Sequence, residues 1–343
     1  MIVSKQTLGF HWPTQDPFLF LAHHEDFYPA GDEKLGPIEP LIGRKIGEDF
    51  DLSNNWKMYH GRHVPGFPMH PHRGFETITI VLDGFIDHFD SAGGSGRYGQ
   101  GDIQWMTAGA GLQHSEMFPL IYPNRENYLH LFQLWINLPS KDKFVKPDYK
   151  MIWSEQVPIV KVEAQTGTSE VKIISGNYAG ILGPEPSEFS WAANRDHGVN
   201  ILIIKLEANH SLDFSASSDT LNRTLYFYKG EHAVIENYEE EGLSHSQIEG
   251  NSMYILKSIP FKLRNETLAP LYFLLLEAEP INEPVAQYGP FVMTTRDEIQ
   301  QAYADYQKTA FGGWPWTERD PVHKRDQGRI AIYPDGQVSK PPE

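Results

Sequence analysis

The chain has 343 residues, no cysteine and a formal net charge of −16. The absence of thiols excludes disulfides, cysteine nucleophiles, Cys-ligated zinc and iron–sulfur clusters, and an acidic balance with no Lys/Arg cluster argues against nucleic-acid binding. Hydrophobic residues at 40% allow packed cores, the length suits two domains, and no run resembles a signal peptide or bilayer span, so a soluble cytoplasmic protein is expected.

In chain order, the first informative stretch is FPMHPHRGFETITIVLDG at 67–84. His70 and His72 stand two apart, and Pro71 biases His70 toward extended backbone. Side chains two apart on a strand share a face, so the two imidazoles project together. FETITIVLDG predicts a strand closed by Gly84, and GDIQWMTAG at 101–109 predicts another. GLQHSEMFP then places His114 and Glu116, again two apart. On neighbouring strands of one small barrel, two such pairs would converge on a shared interior point. Three imidazoles and one carboxylate suit Fe(II), Mn(II), Ni(II), Cu(II) or Zn(II) and are too nitrogen-rich for Ca or Mg. Around an octahedral ion four protein ligands leave two open positions, whereas a structural zinc site is closed and usually contains Cys.

Between these pairs, DHFDSAGGSGRYGQGD is Gly-rich but lacks the Lys-Ser/Thr of a phosphate loop, so it reads as a β-turn. His88, flanked by Asp87 and Asp90, is expected to be a solvated hairpin feature. Phe67, Trp105 and Met106 either line an apolar pocket or fill the barrel. YLHLFQLWINLP is expected to be a core strand on both faces, with His130 unneeded as a ligand. LPSKDKFVKPDYK reads as a link. Beyond it NILIIKLEA, RTLYFYKG, NSMYILKS and APLYFLLLEAEP predict further strands, and the pattern strand, Gly84, strand, Gly101, strand echoes at Gly230 and Gly250. The acidic run at 237–242 reads as a solvated turn. One helix is expected in TTRDEIQQAYADYQKTAFGG, with Thr295 and Glu298 as a capping box, Gly312 or Gly313 at its end, and Ile299, Ala302, Tyr303, Tyr306 and Ala310 on one stripe. The tail from 311 to 343 is Pro-rich and polar and is expected to wrap the surface.

HPHRGFETITIVLDG followed by GDIQWMTAGAGLQHSEM resembles the pirin family of the cupin superfamily, and QYGPFVMTT…EIQQAYADYQ resembles its C-terminal signature. The resemblance runs from FLFLAHHEDFYPAG to about residue 308. It implies an all-β bicupin: two antiparallel jelly-roll barrels facing each other, with a C-terminal helix. Residues 1–145 would form a metal-binding barrel, 160–310 a metal-free barrel with the helix, and 311–343 an extension the family pattern does not cover. It further implies that His70, His72, His114 and Glu116 hold Fe(II), with Mn, Ni, Cu or Zn as other occupants. Glu76 stands where general cupins carry a ligand glutamate, and the pirin pattern leaves it off the metal, either beside it and orienting a ligand histidine or Arg73, or in a plain surface position. His232 and His245 stand singly, in keeping with an empty second barrel.

For function the resemblance implies an Fe(II)-dependent dioxygenase of the quercetin 2,3-dioxygenase type, opening the flavonol heterocycle with dioxygen and releasing carbon monoxide. Its partners would be a small planar aromatic or enediol substrate and dioxygen, with Glu116, or Glu76 if near, as general base. The alternative is an iron- or redox-responsive regulator acting through protein contacts, and a further one is a cupin isomerase or hydrolase using the metal as a Lewis acid. Neither direct nucleic-acid binding nor membrane attachment is expected.

Overall fold

Short apolar-alternating segments punctuated by glycine turns give antiparallel sheets along the chain. The structure, a computed structural model, describes residues 1–215, 218–239 and 242–342. The expected strands form at Phe75–Asp83, Ile103–Thr107, Asn127–Asn137, Asn200–Leu206, Asn222–Lys229, Ser252–Leu256 and Leu271–Ala278. Gly84 and Gly230 turn the chain at φ 84° and 131°, the backbone region that glycine adopts without a Cβ penalty. Of the acidic run at 237–242, residues 240 and 241 lie outside the described residues.

The strands divide into two units: residues 22–155 with 283–343, and residues 1–21 with 156–282. This differs from the expected boundaries, because the terminal segments trade places. Ile2–Thr7 pairs with Ser252–Leu256 in the second unit. The helix and tail belong instead with the histidine-bearing unit, where Val292 N–H donates to the Arg73 carbonyl at 3.0 Å.

In the histidine-bearing unit, one sheet runs in the order Asp148–Ile152, Ile103–Thr107, Phe75–Asp83, Asn127–Asn137, Phe18–Tyr28. The other runs Val338–Ser339, Ile330–Ile332, Ser95–Gly99, Phe85–Asp90, Leu112–Met117, Gly66–His72. The tail therefore adds strands to a sheet and does more than wrap a surface. Ile330–Ile332 pairs with Ser95–Gly99, while at the opposite edge Met69 N–H donates to the Arg319 carbonyl at 2.7 Å. Between the two, buried Arg97 pairs with Asp87 (Nε to Oδ1 2.6 Å) and donates to the Lys324 and His323 carbonyls.

The second unit has a seven-stranded and a four-stranded sheet. Leu202, Ile204, Leu225, Phe227, Ile235 and Phe273 fill its core.

The helix spans Arg296–Thr309 with the expected Thr295–Glu298 capping box. Its end differs: Ala310, not a glycine, takes the left-handed position at φ 46°. Ile299 and Ala302 are its buried residues, packed with Phe291 and Met293.

Candidate metal centre

His70 lies directly opposite His114 across the pairing of Gly66–His72 with Leu112–Met117. The register slips between Phe67 and His70, a bulge that re-aims the histidine pair. The next turn depends on Gly74, at φ 85°: a Cβ there would sit 1.9 Å from the Val292 carbonyl oxygen. His70, His72 and His114 each offer a ring nitrogen, all within 4.8 Å of one another. Adjacent ring centroids are 4.5–4.9 Å apart.

Burial keeps the trio uncharged. It pushes His70 down to about 4 and holds His72 and His114 well below the ordinary histidine value. Neutral imidazole is the ligating form. His70 Nδ1–H donates to the Pro68 carbonyl at 2.9 Å and His72 Nδ1–H to the Pro290 carbonyl at 3.4 Å. Both therefore present a bare Nε2 to the centre. His114 is different: neither of its buried ring nitrogens has a hydrogen-bond partner. Leaving such a group unsatisfied costs about 1–3 kcal/mol, a penalty that coordination would remove. The trio thus fits a divalent transition metal on its own chemistry.

Glu116 lies beside the trio, its Oε2 3.7 Å from His114 Nε2. Its oxygens are turned to two neighbours on the facing sheet: Thr79 Oγ1 at 2.8 Å from Oε1 and Gln133 Nε2 at 3.1 Å from Oε2. Thr79 Oγ1 is also 2.6 Å from Gln133 Oε1, so its one hydroxyl proton faces two acceptors. Burial raises the Glu116 carboxyl above its ordinary value. Thr79 Oγ1–H can donate to Glu116 Oε1 or to Gln133 Oε1, while Gln133 Nε2–H donates to Glu116 Oε2.

Glu76 requires a correction. Thr79 reaches Glu116 and the Phe75 ring meets His72 at 5.0 Å, so the odd-numbered residues of this strand face the centre. Glu76 lies on the other face, where its Oε1 accepts from Thr107 at 2.6 Å. Nor does it orient Arg73, which pairs with Asp305 and donates to the Ala110 carbonyl.

His88 also departs from expectation. His88, Asp87 and Asp90 are buried, at 0%, 0% and 1% exposure. The tail covers one side of their strand through Asp87, while His88 faces inward with its ring 5.5 Å from His114. The strand alternation His88–Asp90 opposite Glu116–His114 was the signal available in sequence, and it becomes visible once the register is known. Trp105 and Met106 are fully buried filler on opposite faces, and half-buried Phe67 stands at the exposed side of His70, stacked on Tyr59. His130 meets His23 at 2.9 Å on the face away from the centre.

Two β units, one carrying a converging histidine trio, define a bicupin with one candidate metal centre among the described residues. Residues 44–136 match the Pirin family and residues 201–312 the Pirin C-terminal cupin domain. A pirin-like protein of Solanum lycopersicum is 37% identical over 71% of this chain and 75% of its own. Human pirin is 33% identical over 80% and 88%. A Pseudomonas aeruginosa protein provisionally named as a quercetin 2,3-dioxygenase is 35% identical over 81% and 93%. The chain belongs to the pirin family. Its fold is also that of the solved quercetin 2,3-dioxygenase from Acinetobacter baumannii, with a TM-score of 0.70 at 25% identity over 91% of this chain and 98% of that one.

Proposed function

We propose that this pirin is an iron-dependent dioxygenase of the quercetinase type, acting on a small planar enediol or flavonol. The observation that carries the reading is the buried, neutral histidine trio with a carboxylate 3.7 Å from one of its members. His70, His72 and His114 would hold Fe(II), with Glu116 completing the set. When bound, the iron supplies Lewis acidity toward an enol hydroxyl and an electron route between substrate and dioxygen.

The protein's own part is binding and proton handling. His70 is the most exposed of the trio, so substrate enters on its side, past the Phe67 ring. The planar face of half-buried Phe67, backed by the stacked Tyr59 ring, suits an aromatic substrate. Glu116 takes the enol proton, since burial has raised its carboxyl toward the range useful to a general base. Thr79 and Gln133, each hydrogen-bonded to one of its oxygens, hold the carboxyl in place. Phe75 and Trp135 pack against the His72 ring and wall that side of the centre from water.

The test is anaerobic loading with Fe(II), then dioxygen uptake and carbon monoxide release with a panel of flavonols and enediols. One dioxygen consumed per flavonol opened is expected. No uptake across the panel overturns the reading in favour of a regulatory role, and oxygen-independent turnover points to Lewis-acid chemistry.

A further inference from the structure

We propose that His88 is a positioning residue of the metal centre, accepting the ring N–H of His114 and so fixing the tautomer in which His114 ligates. The proposal rests on the metal-centre reading. Metal-ligating histidines donate their other ring N–H to an acceptor that sets orientation and basicity. His70 and His72 have theirs in the Pro68 and Pro290 carbonyls. His114 has no such carbonyl: both its ring nitrogens are buried and without a hydrogen bond.

One acceptor of the right kind is at hand. His88 Nε2 lies 3.1 Å from Asp90 Oδ2, and a carboxylate only accepts, so Nε2 carries the proton. The tautomer with its proton on Nε2 presents a bare Nδ1, and that atom is buried with no hydrogen-bond partner. Asp90 is itself fixed, its Oδ1 accepting the backbone N–H of Ala92 at 2.8 Å and of Gly94 at 3.0 Å. The Tyr149 ring, 5.3 Å away, packs against His88. The His88 and His114 ring centroids are 5.5 Å apart, a separation at which facing ring nitrogens reach hydrogen-bond distance. A bare acceptor and an unsatisfied donor thus lie on neighbouring rings in one dry interior, and closing that gap would link Asp90, His88 and His114 to a bound metal.

Ni(II) serves as the probe, with dissociation constants measured for wild type, His88→Phe and His88→Gln. His88→Phe keeps a ring without an acceptor and is expected to weaken Ni(II) binding by about 10–100-fold. His88→Gln returns an acceptor oxygen and is expected to recover most of that loss. Unchanged Ni(II) affinity in folded His88→Phe overturns the assignment, as does failure of His88→Gln to recover any of it. A wild-type chain that holds no Ni(II) overturns the metal centre itself and this assignment with it. Should His88→Phe fail to fold, nitrogen NMR of Zn(II)-loaded wild type decides. A protected N–H on the non-ligating nitrogen of His114, coupled to His88 Nδ1, supports the assignment, and its absence overturns it.

Discussion

At the residue scale, the centre is a contest between burial and coordination. Burial strips charge from three histidines and raises the Glu116 carboxyl above its ordinary value, and a bound metal would offset both. His70→Ala and Glu116→Ala are each expected to abolish iron retention, read by metal analysis after desalting; full occupancy in either variant would contradict the ligand assignment. Glu76→Gln should retain iron fully, because Glu76 faces Thr107 on the opposite side of its strand. The histidines also set a pH dependence for the metal-stripped protein. His70 falls from an ordinary 6.5 to about 4 on folding, so between those values the unfolded chain binds more protons than the folded one. Its contribution to stability is therefore complete above pH 6.5 and drains away as pH falls toward 4. Thermal melts of stripped protein should drop across that window, and by less in His70→Ala, where His72 and His114 still contribute. The ligand histidines were legible because HxH and HxE spacing survives any register. His88 was not: whether it faces solvent or the interior depends on a pairing partner and a covering tail that lie far along the chain.

At the element scale, the helix and one glycine hold the ligand-bearing turn in place. Asp305 on the helix binds Arg73 at 2.7 Å, one residue from His72, and the Phe311 ring lies 4.5 Å from the same guanidinium. Thr295→Ala removes the cap and should cost about 1 kcal/mol of stability in urea unfolding, with little change in metal binding. Gly74→Ala should cost more. It forces an L side chain to φ 85° and into the Val292 carbonyl, and strain of this kind is of order 1–3 kcal/mol. Here metal affinity should fall together with stability, since the distortion lies within the turn. The capping box was readable from Thr295 and Glu298 because it is local chemistry. The helix stop was not, since Ala310 in the left-handed position is held by its N–H to the Tyr306 carbonyl and by Gln113, which donates to the Ala310 carbonyl.

At the scale of the whole molecule, two strand-rich units share one repeated pattern, and their interiors differ. The histidine-bearing interior holds Thr79, Glu116 and His88 where the second unit packs Leu, Ile and Phe. The strand pattern and the duplication were readable from alternation and glycine spacing. The exchange of termini between units was not, because edge-strand pairing such as Ile2–Thr7 with Ser252–Leu256 leaves no local mark. Nor was the tail's place in a sheet, which depends on buried Arg97 reaching carbonyls more than two hundred residues away. Arg97→Ala strands Asp87 as a buried, unpaired carboxylate and should cost about 3–5 kcal/mol. Removing residues 314–343 should likewise destabilise the protein, as measured by thermal melts, because it uncovers Arg97, Asp87 and both sheet edges.

The most direct test is anomalous diffraction at the iron edge from protein loaded anaerobically with Fe(II). The account predicts one iron per chain, between His70, His72 and His114 and within bonding distance of Glu116. An iron bound elsewhere, or one held by the three histidines with Glu116 beyond bonding distance, would contradict it.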